Sequence, residues 1–468
     1  MNKFYITTTL PYINADPHIG FALEILEADV LARFHRENGD EVFFNTGTDE
    51  HGLKVYRESE KLGIGIQKYC DDKSKSYEKL KQVLNISYDN FIRTTDKYHV
   101  KAAQEFWKRC NGSGDIYKKM YRVKYCVGCE LEKTDSELID GKCPLHPDQK
   151  PEIIEEENYF FRFSKYQDKL LDLYANNSEF VLPKKRLNEV RSFVEQGIED
   201  FSISRLKRKM PWGVEVPGDP EHVMYVWFDA LVNYVSAIGW PNDMEKFEKW
   251  WPAVQLAGKD NLRQQAAMWQ AVLMSAGISN SKQIFINGFI GVNGQKMSKS
   301  IGNVITPAEM VKRFGVDGTR YLILSYGNFG EDMDVSWEKF TEKYNADLAN
   351  GLGNLVSRVI RLSSEFNYKM SNISINQEFM KLVDLMELGR ALEYIWDKIR
   401  EDNKYIEDNK PWELAKEDMA KFGDVMQKLF IDLNLIAEHI NSFMPETSKK
   451  IKKALEEKKT EILFQRIK

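Results

Sequence analysis

Two lysines and two serines are crowded into one short stretch of the sequence, Lys296-Met-Ser-Lys-Ser300. The stretch follows an apolar run from Ile284 to Ile290, which is typical of a buried strand, and it lies in a loop that contains glycine. Lysine ammonium groups can contact phosphoryl oxygens, while serine hydroxyls and backbone amides add hydrogen bonds. The loop therefore predicts a polyphosphate site, although most lysine-serine loops are simply solvated.

Three cysteines and one histidine form two close pairs, Cys126 with Cys129 and Cys143 with His146, separated by thirteen residues. Two such pairs on turns are what a tetrahedral zinc site requires. No water-activating carboxylate is evident between the pairs, so the spacing predicts a structural rather than a catalytic zinc. The alternative is that the cysteines are free structural residues and the histidine is unrelated to them.

His18-Ile-Gly20 is a second candidate phosphate site because it opens an apparent helix. A helix N-terminus offers free amides and the positive end of the helix dipole, and glycine allows close approach to the backbone. The other interpretation is that His18 is an ordinary residue at the start of a helix. Neither a Walker motif nor a dinucleotide glycine motif supports the phosphate role.

The elements around His18 follow a strand, helix, strand order. Lys3 to Thr8 has the composition of a strand, an amphipathic helix runs from about His18 to the Asn38-Gly39 stop, and Val42 to Phe44 is a second strand. A polar turn from Thr46 to Gly52 follows. This order predicts parallel strands with the ligand site at their carboxyl ends.

Three later apolar runs predict a second set of parallel strands in the same sheet. They are Val223 to Phe228, Val254 to Ala257 and Ile284 to Ile290. The insertion between the two sets carries the cysteine pairs. Beyond about residue 345 the leucines recur at helical spacing, which predicts a helical bundle.

The predicted fold class is therefore α/β, with a split Rossmann-type parallel sheet, an inserted zinc-binding lobe and an all-α C-terminal bundle. We expect the first half of the catalytic domain at residues 1–114 and the connective insertion at 115–222. The second half is expected at 223–345, followed by the bundle at 346–468.

Composition limits the class of protein. The chain has 468 residues, of which 43% are hydrophobic and 29% charged, and no apolar run reaches the length of a membrane span. The N-terminus lacks the form of a signal peptide, which predicts a cytoplasmic protein. The net charge is −5, so any nucleic-acid surface must be local.

Taken together, these motifs resemble the class I aminoacyl-tRNA synthetases, and specifically the methionyl-tRNA synthetase family of the single-zinc bacterial type. The resemblance extends over nearly the full length. Besides the two phosphate motifs, it is carried by Leu10-Pro-Tyr12, Gly47-Thr-Asp-Glu-His-Gly52, Tyr225-Val-Trp-Phe-Asp-Ala230, Gly258-Lys-Asp260 and Gly353-Asn-Leu-Val-Ser-Arg358.

The resemblance implies a role for each matching residue. The amino group of methionine would be held by Asp49, with Arg205 as an orienting charge, and ATP would be bound with Mg²⁺. The residues implied to bind methionine are Leu10, Tyr12, Asp49, Trp227, Ala230, Tyr234, Asp260 and Gln265. Those implied to bind ATP are Asn14, His18, Gly20, Lys296, Ser298 and Lys299, of which His18, Lys296 and Lys299 would be catalytic.

The reaction implied is attack of the methionine carboxylate on the α-phosphorus of ATP, followed by transfer to the terminal ribose of tRNA. The bundle would read the CAU anticodon of tRNA(Met) and initiator tRNA through Asn354, Arg358 and Trp412. One structural zinc per chain is implied for the cysteine cluster. We expect no membrane partner and a monomer, because the dimerising C-terminal domain of many relatives is not in this sequence.

Two residues depart from the family pattern. Phe21 stands where the signature usually has a second histidine, which removes one donor to the phosphates. Gln265 stands where many relatives have a histidine beside the methionine pocket, and an amide can still donate a hydrogen bond there.

Other functions compete with this interpretation. One is a non-catalytic tRNA-binding protein derived from a synthetase, against which the adenylation residues argue. Another is a synthetase for leucine or cysteine, for which the insertion is too short or the aromatic pocket is unsuitable. An unrelated nucleotidyltransferase would not need the helical bundle.

Overall fold

The computed structural model describes residues 2–297, 302–363, 376–459 and 461–468. The chain divides into two compact units. The first contains Met1–Pro17, Gly39–Lys79 and Tyr88–Ile286, and the second contains His18–Asn38, Leu80–Ser87 and Asn287–Lys468. Among the helices of the described residues, none combines the length and the apolar character that crossing a membrane requires.

Sixteen strands lie within the described residues. They are β1 (Lys3–Thr7), β2 (Glu41–Thr48), β3 (Asn90–Arg93), β4 (Ile116–Cys126), β5 (Leu131–Lys133), β6 (Glu152–Phe161), β7 (Val181–Leu182), β8 (Phe201–Ser202), β9 (Ser204–Leu206), β10 (Glu215–Val216), β11 (Asp219–Met224), β12 (Val254–Gly258), β13 (Gln283–Asn287), β14 (Ile290–Val292), β15 (Gln295–Lys296) and β16 (Met333–Val335).

The helices are the other component, and two π-helical stretches, Gln264–Met268 and Tyr344–Gly353, accompany them. The α-helices are α1 (Ile19–Glu37), α2 (Leu53–Leu62), α3 (Ile66–Glu78), α4 (Leu80–Val83), α5 (Lys97–Gly112), α6 (Gln167–Asn176), α7 (Lys184–Glu195), α8 (Val226–Ala230), α9 (Asn233–Ser236), α10 (Met244–Trp250), α11 (Trp269–Ser275), α12 (Pro307–Leu324), α13 (Trp337–Lys343), α14 (Asn354–Leu362), α15 (Gln377–Asp384), α16 (Leu388–Asn409), α17 (Pro411–Glu417), α18 (Met419–His439) and α19 (Pro445–Glu457).

A six-stranded sheet in the order β3-β2-β1-β12-β13-β7 is the centre of the first unit. β1 pairs in parallel with β2 on one side and with β12 on the other. These contacts confirm the prediction that strands from both halves of the sequence share one sheet. The carboxyl ends of parallel strands meet at one edge, where ligands of such folds bind.

Several strand predictions differ from the structure. β2 continues through Thr48 into the segment predicted as a turn, because Thr46 and Thr48 are buried and Gly47 lies against β3, where a Cβ would come within 1.8 Å of the Ile92 carbonyl oxygen. β3 and β7 were not predicted. The run Val223 to Phe228 is not a parallel strand, since β11 pairs antiparallel with β9 and β10 and the chain then enters α8.

Helix α1 belongs to the second unit and matches its prediction closely. It ends at Glu37, with Asn38 as its C-cap. The apolar stripe that makes the helix amphipathic, Leu23, Leu26, Val30 and Phe34, is buried. The predicted bundle is also confirmed, since α14 to α19 follow one another through the described residues beyond 353 with no strand among them.

A buried ion pair connects separate segments of the second unit. Arg320 of α12 and Asp29 of α1 are both fully buried and lie 2.8 Å apart. The guanidinium of Arg320 also donates to the carbonyl oxygens of Leu84, Ser442 and Phe443. Burial opposes ionisation of Asp29, but the charges of Arg320 and Arg33 hold its pKa below the ordinary value. Each charge is therefore compensated only while the other is present.

We expect Arg320→Ala to lower the free energy of unfolding by about 3–5 kcal/mol, because it leaves Asp29 as an uncompensated buried charge. Urea unfolding followed by circular dichroism measures the change. Lys449→Ala is the control, since Lys449 and Glu446 form an exposed pair at 3.1 Å and such pairs contribute about 0–1 kcal/mol. Equal losses in the two variants would contradict the prediction.

The same pair predicts how stability depends on pH. Because the pKa of Asp29 is lowered on folding, its contribution is fully present above the unfolded value of about 3.9 and is lost as the pH falls through the folded value. The Asp29→Asn variant should therefore have a lower free energy of unfolding at neutral pH, and this free energy should fall less steeply as the pH is lowered. A parallel fall in both proteins would show that Asp29 does not contribute in this way.

Candidate functional site

The loops that follow β1 and β2 run side by side at the carboxyl edge of the sheet. A parallel bridge pairs Tyr12 with Asp49, and the amide of Asp49 donates to the carbonyl oxygen of Pro11 at 3.0 Å. Leu10 and Asn14 are half-buried in the same loop as Tyr12. The parallel pairing of the strands thus brings together residues that the sequence separates by almost forty positions.

Aromatic side chains lie beside this edge. The rings of Tyr12 and Trp227 meet edge to face, with centroids 6.4 Å apart. Tyr234 is buried, and the amide nitrogen of Gln265 donates to its hydroxyl at 2.7 Å. Ala230 is buried on α8, between Trp227 and Tyr234 in the sequence. Aromatic rings and small apolar groups are suited to enclosing an unbranched apolar side chain.

Asp49 is the buried carboxylate of this region and is only 3% exposed. Burial raises its pKa well above the ordinary value, and the charges of Asp229 and Glu130 raise it further. The Thr94 hydroxyl lies 3.4 Å from one of its oxygens. A carboxylate in these surroundings is stabilised by a cation, because the cation restores the favourable interactions that burial removes.

Asp229 is held differently from Asp49. His99 Nε2 lies 2.9 Å from one of its carboxylate oxygens and His51 Nδ1 2.5 Å from the other. Burial opposes ionisation, but the two histidines lower the pKa of Asp229 to about 2. His99 is fixed in turn by the Ser236 hydroxyl at 2.9 Å. Asp229 is therefore a fixed negative charge behind Asp49.

Two predicted residues lie in other surroundings. Asp260 is exposed, in a single helical turn after β12. Arg205 is buried and donates to the Ser204 carbonyl oxygen at 2.7 Å, with its guanidinium 4.5 Å from the centre of the Tyr225 ring. Arg205 thus packs beneath the segment that leads to Trp227.

In the second unit, His18 is the N-cap of α1. Its Nδ1 accepts from the amide of Gly20 at 3.0 Å, so the ring proton of the neutral form is on Nε2, which can donate. Burial lowers the pKa of His18, and the charge of Lys296 lowers it further. A Cβ on Gly20 would come within 2.8 Å of the His18 ring, which explains why glycine stands there.

Lys296 lies exposed on β15, with its ammonium 5.2 Å from the centre of the Phe289 ring. Its predicted companions Ser298 and Lys299 lie outside the described residues. The charge effect of Lys296 on His18 indicates that both face the same region of the second unit.

The predicted metal ligands converge. The Cys129 sulfur lies 3.5 Å from that of Cys143 and 3.2 Å from His146 Nδ1, and Cys126 lies 3.7 Å from the same nitrogen. All of the ligand atoms lie within 4.8 Å of one another. Tetrahedral zinc with sulfur ligands at about 2.3 Å requires ligand separations of about 3.7 Å. The cluster therefore fits a metal ion such as zinc.

Gly128 shows how closely the cluster is packed. A Cβ at this position would come within 2.5 Å of the His146 ring. The cluster lies at one end of a four-stranded sheet in the order β5-β4-β6-β8, and Cys126 is the last residue of β4.

Several residues of the site were quoted in motifs but given no role by the sequence. His51 and Asp229 belong to two of the motifs, and their contact links segments 178 positions apart. Glu130, directly after Cys129, is fully buried, and one of its oxygens accepts from the amide of Lys54 at 2.8 Å. Its position after a metal ligand was the only signal available.

In the bundle, Asn354 and Arg358 lie one turn apart on α14 and line the same cavity of about 420 Å³. Arg358 forms an ion pair with Glu407 at 2.8 Å, and its guanidinium lies 5.8 Å from the centre of the Trp412 ring. Pro411 and Trp412 begin α17, and Trp412 is 41% exposed. An exposed ring beside a guanidinium is suited to stacking on an unpaired base.

Comparison with known proteins agrees with this arrangement. The family described as tRNA synthetases class I (M) matches residues 4–147 and 146–360. A methionine-tRNA ligase of Thermotoga maritima is 42% identical over 470 residues, which cover 96% of this chain and 74% of that protein. A methionine-tRNA ligase of Brucella suis is 40% identical and is covered over 91% of its length.

A solved structure gives the same result. The methionyl-tRNA synthetase of Mycobacterium tuberculosis in complex with methionyl-adenylate is 39% identical and superimposes with a TM-score of 0.91, over 96% of this chain and 93% of that one. Sequence and structure thus agree over nearly the whole chain. The chain belongs to the class I tRNA synthetases and, within them, to the methionine-tRNA ligase family.

Proposed function

We propose that this protein activates L-methionine with ATP to methionyl-adenylate and transfers the methionyl group to the 3′-terminal ribose of tRNA(Met), including the initiator. The observation that carries the proposal is the juxtaposition of Tyr12 and Trp227 with the buried carboxylate of Asp49. The family of the chain and its likeness to a structure that contains methionyl-adenylate support the same reaction.

The substrate amino acid has a charged amino group and a thioether without strong hydrogen-bonding groups. Asp49 would hold the ammonium, and its raised pKa is what a buried carboxylate shows before a cation pairs with it. The thioether would be selected by shape and ring contact, because sulfur packs favourably against aromatic edges. Leu10, Tyr12, Trp227, Ala230, Tyr234 and Gln265 would form this wall. Asp260 and Arg205 would act on the pocket from outside it.

Adenylation requires stabilisation of negative charge that builds up on the α-phosphoryl oxygens. His18 would donate from Nε2, since its Nδ1 accepts from Gly20, and the ammonium groups of Lys296 and Lys299 would add positive charge. Asn14, Gly20 and Ser298 would contact the phosphates and ribose. Mg²⁺ bound with ATP would supply further charge neutralisation. The reaction needs no covalent intermediate on the protein.

The Cys126, Cys129, Cys143 and His146 cluster would hold one structural zinc ion per chain. Its role would be to fold the lobe, since closed sites with four protein ligands leave no position for substrate. We assign the catalytic halves to 1–114 and 223–345, the connective insertion to 115–222 and the anticodon-binding bundle to 346–468. The protein is proposed to act as a cytoplasmic monomer.

The test of the function is amino-acid-dependent exchange of pyrophosphate into ATP without tRNA. Methionine, leucine, isoleucine and cysteine are supplied in parallel, and we expect exchange with methionine alone. Exchange with leucine or cysteine, and not with methionine, would show that the protein activates that amino acid instead. Silence with each amino acid, in folded protein that retains its metal, would favour a non-catalytic tRNA-binding protein.

The metal cluster makes a separate prediction. Cys129→Ser should reduce the zinc content from about one ion per chain to far below one and lower the melting temperature, because thiolate ligands supply much of the binding energy. Elemental analysis and thermal unfolding measure the two effects. Cys70→Ser is the control, since Cys70 is buried outside the cluster and should retain the metal. Retention of zinc in Cys129→Ser would contradict the assignment.

The bundle predicts a split between the two half-reactions. Arg358→Ala should reduce kcat/KM for aminoacylation of tRNA(Met) by about 10- to 100-fold, the range for loss of an arginine that contacts a base. Pyrophosphate exchange should stay unchanged, because it does not involve tRNA. Arg361→Ala, an exposed position on the same helix, is the control. An equal loss in both reactions would show that Arg358 acts on the fold.

A further inference from the structure

Glu130 stands at the end of the metal cluster but is not one of its ligands. It follows Cys129, is fully buried and has a φ of +50°, in the left-handed region that non-glycine residues rarely adopt. Such a conformation is maintained only where the surrounding contacts stabilise it. The contacts of Glu130 lie on three segments of the first unit, and each segment leads into the methionine pocket.

The first segment is the start of α2. Its N-cap, Gly52, has no side chain to accept from the helix amides. Glu130 supplies the missing acceptor, since its Oε1 accepts from the amide of Lys54, the second residue of the helix, at 2.8 Å. A Cβ on Gly52 would come within 2.8 Å of both carboxylate oxygens, so the glycine makes room for Glu130. A carboxylate at a helix N-terminus also interacts favourably with the helix dipole.

The second segment is the loop that carries Tyr12. After burial, the charge of Glu130 is the largest influence that raises the pKa of Tyr12. Burial raises the pKa of Glu130, and hydrogen bonding from the Tyr12 hydroxyl lowers it, which places the two buried groups next to each other. Lys54 lies between them and the cluster, with its ammonium 5.5 Å from the Tyr12 ring centre and 3.1 Å from the Gly128 carbonyl oxygen.

The third segment is the entry to α8. The Tyr225 hydroxyl donates to the backbone carbonyl of Glu130, and Trp227 and Asp229 follow within the next four residues. Glu130 also raises the pKa of Asp49 through its charge, after burial and Asp229. Glu130 therefore bonds to Lys54 and Tyr225 and acts on Tyr12, which lie on three different segments of the first unit.

We propose that Glu130 is a positioning residue for methionine binding, which caps α2 and sets the place of Tyr12 from the folded metal lobe. The inference rests on the proposed function, because it concerns how the methionine pocket of that reaction is positioned. It also explains why an inserted lobe with a structural metal lies next to an amino-acid site. A folded cluster fixes Glu130, and Glu130 fixes two loops of the pocket.

The test compares Glu130→Gln with Glu152→Gln. Glu152 is a matched control, because it lies on the same lobe and pairs with Arg57 of α2 at 2.7 Å but is exposed. In pyrophosphate exchange we expect Glu130→Gln to raise the KM for methionine by roughly 10-fold or more, as expected for loss of a charged hydrogen-bond acceptor. The KM for ATP should change by less than about two-fold, which corresponds to about 0.4 kcal/mol of binding free energy. Glu152→Gln should match the parent protein.

Zinc content and melting temperature separate positioning from folding. Glu130→Gln should retain the parent's zinc, and titration with L-methionine followed by tryptophan fluorescence should show the same weakening as the KM. An unchanged KM for methionine, or a loss of activity that merely follows a loss of zinc, would overturn the inference. If the parent protein gives no exchange with methionine, the proposed function is wrong. If the parent is active and Glu130→Gln behaves like it, the proposed function stands and only the role of Glu130 is wrong.

A second variant keeps the test decisive if Glu130→Gln folds poorly. Tyr12→Phe removes only the hydroxyl that faces Glu130 and leaves the lobe intact. It should raise the KM for methionine, and the double variant should show less than the product of the two single effects, because neighbouring groups that act together are not additive. Fully multiplicative effects would show that Glu130 does not act through Tyr12.

Discussion

The parallel pairing of β1 with β2 is the constraint on which the proposed methionine pocket depends. In the strands Phe4 lies opposite Val42 and Thr7 opposite Asn45, and beyond them Tyr12 pairs with Asp49, one residue out of that register. Because the strands run in the same direction, both loops leave at one edge, so an aromatic ring and a carboxylate come together without any local sequence relation.

Buried negative charge is the main energetic cost of this arrangement. Asp49, Asp229 and Glu130 are each at most 3% exposed. Asp229 is compensated by two histidines, and the start of α2 compensates Glu130 in part, although burial still raises its pKa. Asp49 has weaker partners, and its pKa is raised well above the ordinary value. Of these three carboxylates, Asp49 has the weakest partners, and it is the one proposed to bind the substrate ammonium, since a poorly compensated buried carboxylate favours a cationic group.

The sequence predicted those parts of the fold whose signals are local. The stripe of α1, the run that forms β12 and the cysteine spacing each depend on residues close in the chain, and each matches the structure. In the six-stranded sheet, the two strands that were not predicted, β3 and β7, have only four and two residues, too few for a period to show. Val223 to Phe228 misled because strand and helix cannot be distinguished by apolarity alone over six residues.

The distinction between local sequence signals and contacts across distant segments also holds for the site. Tyr12, Asp49, Trp227 and the metal ligands could be proposed from the sequence because they lie in motifs. The contacts of His51, His99 and Glu130 instead join segments 76 to 178 positions apart. No pattern within one segment contains that information. The histidine pair could be recognised only once α5, α8 and the loop after β2 were brought together by the fold.

Gln265 shows how a departure from a family pattern can fit the physics of a pocket. Its amide donates to the Tyr234 hydroxyl at 2.7 Å, and both residues are 1% exposed. A histidine at this place would add a group that titrates near neutral pH, whereas an amide stays neutral. The wall proposed to enclose the thioether would then carry no group that titrates near neutrality, and the charge proposed to select the substrate would lie at Asp49. Recognition by shape on one side and by charge on the other follows from the two chemical ends of methionine itself.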